Sequence, residues 1–95
     1  MPSSDSDRDR LRQHVIDWLD DNYHFGDAAA KIKGDEMSFL DNAVLNSLGF
    51  VALIVHLEDT FGIRIDRKSI TRENFDGLKK IMDYVLSRKD WKGFR

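Results

Sequence analysis

A serine in the middle of the chain has the surroundings of a covalent attachment point. Ser47 lies in the segment 44–50 (VLNSLGF), where a loop turns into a helix, and the preceding Asn46 is a favoured residue for capping a helix start. Backbone N–H groups and the helix dipole at such a start favour negative charge. A phosphate or a phosphodiester on the Ser47 hydroxyl would therefore be stabilised there.

The residue pattern does not predict catalysis by the chain itself. A serine nucleophile needs a base and an acid that orients the base, but no pattern brings a histidine to Ser47. His14, His24 and His56 are scattered, and no two have the i, i+4 spacing of metal ligands on one helix face. We predict neither an enzyme nor a metal site. The chain also lacks cysteine, so any thiol chemistry must come from an added group.

Length and composition predict one folded domain spanning 1–95. The chain has 95 residues, of which 41% are hydrophobic and 34% charged, as in ordinary globular domains. We expect a folded core at about 5–88 and flexible ends at 1–4 and 89–95. The amino terminus is polar and no apolar run approaches membrane-spanning length. We therefore expect a cytoplasmic protein without a signal peptide or a membrane anchor.

The charges are unevenly distributed along the chain. Residues 35–66 carry six acidic side chains and one basic side chain, whereas residues 67–95 carry four acidic and nine basic ones. An acidic region around Ser47 repels nucleic acid and attracts a basic protein surface. The basic segment 88–95 is short and lacks a docking motif for nucleic acid. These charges argue against nucleic-acid binding, and they suit either an ordinary solvated surface or a site for a basic partner.

Hydrophobic spacing predicts an all-α fold with three principal helices. The first begins near residues 4–7 and ends near Asn22, and the second spans about 47–61 with Gly62 as its stop. The last begins near Phe75, with Asn74 or Asp76 as its cap, and runs to about Arg88. The predicted inward residues are Leu11, Val15, Trp18 and Leu19, then Leu53, Ile54, Leu57 and Phe61, and finally Phe75, Leu78, Ile81, Met82 and Val85.

The connections between these helices complete a small four-helix bundle. Residues 24–45 show no sustained period, which predicts a long first loop held on the bundle by its apolar side chains. Residues 67–74 predict a short turn of helix, the third of the four. Ile63 and Ile65 alternate as in a strand, but no second strand is available for pairing. We expect an extended connector there, with both isoleucines in the core.

A second apolar stripe on the central helix leaves two interpretations open. Leu48, Val51 and Val55 recur at spacings of three and four, beginning beside Ser47 and outside the inward face. A central helix in a small bundle can be buried on most sides, and the stripe would then belong to the core. Alternatively, the stripe is exposed and a partner protein binds it.

The order of these motifs resembles that of the acyl and peptidyl carrier proteins. In that family a serine in an Asp-Ser-Leu motif, at the start of the second helix, bears 4'-phosphopantetheine. The resemblance implies a four-helix fold of the acyl-carrier-protein type and a monomer. It covers most of 8–88 and rests on Leu45, Ser47-Leu48, Leu57-Glu58, Phe61-Gly62-Ile63 and Asn74-Phe75.

The resemblance also implies roles for individual residues and the kinds of partner. Ser47 would carry the 4'-phosphopantetheine arm, whose thiol would hold an acyl or aminoacyl group as a thioester. The chain itself would catalyse nothing. Its partners would be a phosphopantetheinyl transferase, an adenylating acyl or aminoacyl ligase or a synthase, and downstream transferases. The implied recognition residues are the apolar Leu48, Val51 and Val55 and, at the rim, the charged Glu58 and Asp59.

Two departures from the family pattern refine this hypothesis. Asn46 stands where the motif has aspartate; it caps a helix equally well, but the negative charge that a transferase would meet beside Ser47 is lost. Gly49, Ala52 and His56 stand where carriers of fatty-acid synthesis often have polar or acidic surface residues. The chain therefore resembles a specialised carrier, and its free-standing length and the segment 48–51 (LGFV) resemble discrete carriers loaded by an adenylating ligase. The alternative is an unmodified helical adaptor, in which Ser47 is an ordinary helix residue.

Overall fold

Helices account for all regular structure in the part of the chain that the computed structural model describes, residues 4–24 and 27–91. This confirms the predicted all-α bundle, in which α4 is the expected short helix, whereas α2 was not predicted. None of the described helices is long and apolar enough to cross a membrane. In chain order the elements are α1 (Ser4–Leu19), a π-helical turn (Asp20–His24), α2 (Ala28–Lys31), α3 (Ser47–Phe61), a 3-10 turn (Arg67–Ser69), α4 (Arg72–Phe75) and α5 (Leu78–Leu86).

The core lies between the apolar faces of the three long helices. The predicted connector residues Ile63 and Ile65 are 4% and 7% exposed, which confirms that they enter it. Trp18 and Phe61 are half-buried against its edge. The fully buried side chains include Leu11, Val15 and Leu19 from α1, Leu53, Ile54 and Leu57 from α3, and Leu78, Ile81 and Val85 from α5.

Local signals place both ends of α3 where the sequence predicts them. The Asn46 side-chain oxygen accepts a hydrogen bond of 2.8 Å from the Gly49 N–H, which caps the first turn. At the other end Gly62 has a φ of 65°, and its N–H donates to the Glu58 carbonyl at 2.9 Å. A glycine adopts this left-handed conformation without a steric penalty, so the helix ends there.

The predicted cap of the last helix is wrong. Thr71 caps the short α4 by accepting a hydrogen bond from the Asn74 N–H, and Gly77, with a φ of 143°, separates α4 from α5. Neither Asn74 nor Asp76 caps α5. Asp76 is instead buried, at 2% exposure, and its carboxylate accepts hydrogen bonds from Ser38 and Leu40 in the connection before α3.

The connection that leads from α2 to Ser47 is anchored on the junction of α4 and α5. The Asp76 carboxylate accepts hydrogen bonds from the Ser38 hydroxyl and, at 2.9 Å, from the Leu40 N–H. Lys79 donates its backbone N–H to the Asp35 carbonyl at 2.8 Å. The predicted attachment of this loop to the bundle is thus confirmed, although polar contacts contribute to it as well as apolar ones.

The packed part of the chain continues beyond residue 88. The Asp90 carboxylate accepts a hydrogen bond of 2.9 Å from the Arg64 N–H, and the Trp91 ring lies 5.0 Å from the Phe61 ring. These contacts extend the packed region past the predicted limit of the core. Residues 1–3 and 92–95, within the predicted flexible ends, lie outside the described residues.

Candidate attachment site

Ser47 is the first residue of α3, and its side chain is exposed. The Asn46 side chain and carbonyl accept the N–H groups of Gly49 and Phe50. Within the described part of the chain, the N–H groups of Ser47 and Leu48 make no hydrogen bond. Two unpaired donors and the positive end of the helix dipole therefore lie beside an exposed hydroxyl. This arrangement suits a phosphate ester on Ser47.

The apolar stripe of Leu48, Val51 and Val55 is exposed. These side chains are 80%, 45% and 46% exposed, whereas Leu53 and Leu57 on the opposite face of α3 are fully buried. Of the two interpretations that the sequence left open, the structure therefore excludes a core position for the stripe. An apolar surface begins directly beside Ser47.

The two carboxylates near the end of α3 differ in their surroundings. Glu58 is half-buried, and its carboxylate accepts a hydrogen bond of 2.8 Å from the Ile65 N–H. Asp59 is exposed. Glu58 thus holds the connector after α3, while Asp59 presents its charge to solvent near Val55.

A groove opens beside Asn46, on the side of the first connection. Its volume is about 410 Å³, within the roughly 300–1,000 Å³ of ligand pockets. Tyr23 reaches it because Gly49 has no side chain: a Cβ there would lie 3.2 Å from the Tyr23 hydroxyl oxygen. Gly49 is therefore a buried contact residue rather than a surface position. The residues that line the groove are Tyr23, Leu40, Ala43, Val44, Leu45 and Asn46.

Two histidines that are far apart in sequence meet between α1 and α3. The Nε2 atoms of His14 and His56 are 2.8 Å apart, while the ring centroids are 5.1 Å apart with nearly parallel planes. The rings therefore point at each other, and one must donate while the other accepts. The side chain of His24 lies outside the described residues.

Burial lowers the pKa of both histidines of this pair. It lowers the pKa of His14 against the opposing effect of Asp17. Burial, together with the charge of a protonated His14, also lowers the pKa of His56 against Asp59. Among the described residues, no group of three or more histidine, aspartate or glutamate side chains could hold a metal ion. The pair thus forms a contact between α1 and α3 in which burial opposes protonation.

Comparison with known proteins identifies two relatives with the same name. A D-alanyl carrier protein of Streptococcus uberis is 33% identical over 75 residues, which cover 79% of this chain and 90% of the relative. A D-alanyl carrier protein of Abiotrophia defectiva is 34% identical over 53 residues, 56% of this chain and 67% of the relative. No protein-family model matches the chain. No solved structure matches it either.

Proposed function

Since the chain belongs to the acyl and peptidyl carrier protein family, we propose that Ser47 bears a 4'-phosphopantetheine arm that tethers an aminoacyl group. The chain is a carrier and a substrate of partner enzymes, not a catalyst. The observation that carries the proposal is the exposed Ser47 hydroxyl at the capped start of α3, beside two unpaired N–H donors. The names of both relatives specify a D-alanyl cargo, which favours a small aminoacyl group here.

The residues around Ser47 suit the phosphate of such an arm. The N–H groups of Ser47 and Leu48 and the dipole of α3 stabilise negative charge at this position. Asn46 keeps the first turn in place without adding a like charge beside the phosphate. When bound, the arm supplies the thiol that forms the thioester and that this cysteine-free chain lacks.

The surface next to Ser47 supports docking of the enzymes that attach, load and unload the arm. Leu48, Val51 and Val55 form an exposed apolar stripe, and Asp59 adds negative charge beyond it. A small apolar contact with a charged rim favours fast and reversible association, as a carrier that visits several enzymes requires. The partners are a phosphopantetheinyl transferase, an adenylating aminoacyl ligase and a transferase that receives the cargo.

Intact-mass spectrometry tests the attachment. The purified chain is incubated with coenzyme A, Mg²⁺ and a phosphopantetheinyl transferase of broad specificity. We expect a mass gain of one arm, which Ser47→Ala abolishes. Ser87→Ala is the matched control, because Ser87 is also exposed but lies after α5, where its hydroxyl donates to the Tyr84 carbonyl. This control should gain the arm at the same rate as the unchanged chain.

The variant Asn46→Asp shows whether a failure of modification reflects a weak attachment site or no attachment site. Aspartate caps the helix as well as asparagine and restores the negative charge of the family motif. We expect modification at an equal or higher rate, measured by the same mass gain. The proposal fails if neither the natural chain nor Asn46→Asp is modified by several transferases, and the chain would then be an unmodified adaptor.

A further inference from the structure

The groove beside Asn46 is placed to receive whatever is attached to Ser47. Asn46 lines the groove and also caps α3. The attachment point, Ser47, is the next residue in the chain. The groove lies on the side of Tyr23 and the first connection, whereas the enzyme-docking stripe contains Val51 and Val55 on an exposed face of α3. A group on Ser47 can therefore occupy the groove without using the stripe.

The groove combines apolar walls with hydrogen-bond donors. In the described part of the chain, the Tyr23 hydroxyl makes no hydrogen bond, although its ring packs against Trp18. The oxygen of the Asn46 amide is used by the Gly49 N–H, so its NH₂ group keeps its donors available. An aspartate at position 46 would offer no donor and would repel a phosphate.

The floor of the groove is held in place by backbone hydrogen bonds. The N–H groups of Val44 and Leu45 both donate to the Phe39 carbonyl, at 2.8 and 3.2 Å. Ala43 has a φ of 58°, a left-handed conformation that is strained for a non-glycine residue. Asp76 also holds this segment by accepting a hydrogen bond of 2.9 Å from the Leu40 N–H.

We propose that this groove holds the pantetheine part of the arm on Ser47, with the Tyr23 hydroxyl and the Asn46 NH₂ group donating to oxygen atoms of the arm. The inference rests on the proposed function. The chemistry of the arm matches the lining, because its two amides and phosphate accept hydrogen bonds while its geminal methyl groups suit Leu40 and Ala43. Asn46, which departs from the family motif, thereby becomes a positioning residue for the arm.

Nuclear magnetic resonance tests this with the modified protein, in which the chain is labelled with ¹³C and ¹⁵N and the arm is not. We expect isotope-filtered nuclear Overhauser effects from the geminal methyl groups of the arm to the methyl groups of Leu40 and Ala43. The absence of such effects, or effects to Val51 and Val55 alone, would overturn the inference. The intact mass of the same sample shows whether the arm is attached, so a failure of the proposed function is recognised separately.

Two variants test the donors. Tyr23→Phe removes one hydroxyl and keeps the ring, and Asn46→Asp keeps the cap and removes the NH₂ group. Each should lower the equilibrium constant for docking of the arm by about 2- to 10-fold, the range expected for one hydrogen bond, and should thereby weaken the effects at Ala43. Tyr84→Phe is the control, since that ring packs on Phe75 away from the groove, and it should change nothing. Unchanged effects in both test variants would contradict the assigned donors.

Discussion

Replacing Asp76 by alanine should destabilise the protein far more than replacing a surface aspartate. Asp76 is 2% exposed, and its carboxylate accepts hydrogen bonds from Ser38, from the Leu40 N–H and, at 3.3 Å, from Arg72. Alanine would leave the Ser38 and Leu40 donors without their acceptor. The segment that leads to Ser47 would lose its anchor at the same time.

The size of the effect follows from these contacts. Leaving a buried donor unpaired costs about 1–3 kcal/mol, and two donors are affected. Arg72 is mostly exposed, so its ion pair adds little. We expect a loss of about 3–5 kcal/mol, because two donors lose their acceptor.

Urea denaturation measures this loss. With a slope of about 1–3 kcal/mol/M, the midpoint of Asp76→Ala should fall by about 2 M. The amide hydrogen of Leu40 should also exchange faster, because its acceptor is gone. Asp83→Ala is the matched control: Asp83 pairs with Arg8 and Lys79 at 2.8 Å but is 47% exposed, so its loss should cost about 0–1 kcal/mol. A loss below about 1 kcal/mol for Asp76→Ala would refute the reasoning.

The pKa of Asp76 predicts how the stability of the protein falls in acid. Burial alone would raise the pKa of Asp76, but the hydrogen bonds from Ser38, Leu40 and Arg72 outweigh it, so the pKa lies below its usual value of 3.8. A lowered pKa in the folded state means that the stabilisation is complete above the unfolded pKa and is lost as the pH falls through the folded one. Asp76→Ala should therefore lose less stability than the unchanged chain below about pH 4.

Two further predictions concern α3. Val51→Asp should impair loading by a partner ligase while changing the free energy of unfolding by less than about 1 kcal/mol, since Val51 is 45% exposed; a loss of about 2–5 kcal/mol in urea denaturation would instead mark it as core. Because the pKa values of His14 and His56 are lowered from 6.5, the folded pair binds protons less readily than the unfolded chain. Stability should therefore fall as the pH drops below about 6.5, and His14→Gln should flatten that slope; an unchanged slope in denaturation at pH 5 to 7 would contradict this.

Both ends of α3 could be predicted because the signals are local. Asn46 caps the first turn through a residue three positions away, and Gly62 ends the helix through its own backbone conformation. The apolar period between them places Leu53 and Leu57 in the core. The same period could not decide the exposure of Val51, because that depends on which neighbouring elements cover the outer face.

The features that the sequence patterns do not predict depend on residues that are far apart in the sequence. Asp76 has the chemistry of a helix cap, but its carboxylate binds residues 36 and 38 positions earlier. His14 and His56 are 42 positions apart, so no spacing rule brings them together. Gly49 resembled an exposed position, and only the packing of Tyr23 against it explains its burial. Such contacts depend on the tertiary arrangement and produce no periodic pattern in the sequence.

The anchoring of the first connection on residues 76–79 also sets an order of events during synthesis. A chain emerges from the ribosome with its amino-terminal part first. The hydrogen bonds that hold residues 35–40 on the junction of α4 and α5 cannot form until Asp76 and Lys79 have been made, although Asp35 can already pair with Arg12 of α1. On a shorter nascent chain Ser47 follows a segment that lacks its hydrogen bonds to Asp76 and Lys79. We therefore expect a transferase to meet the finished surface only on chains that have been synthesised past Lys79, so that modification comes after folding.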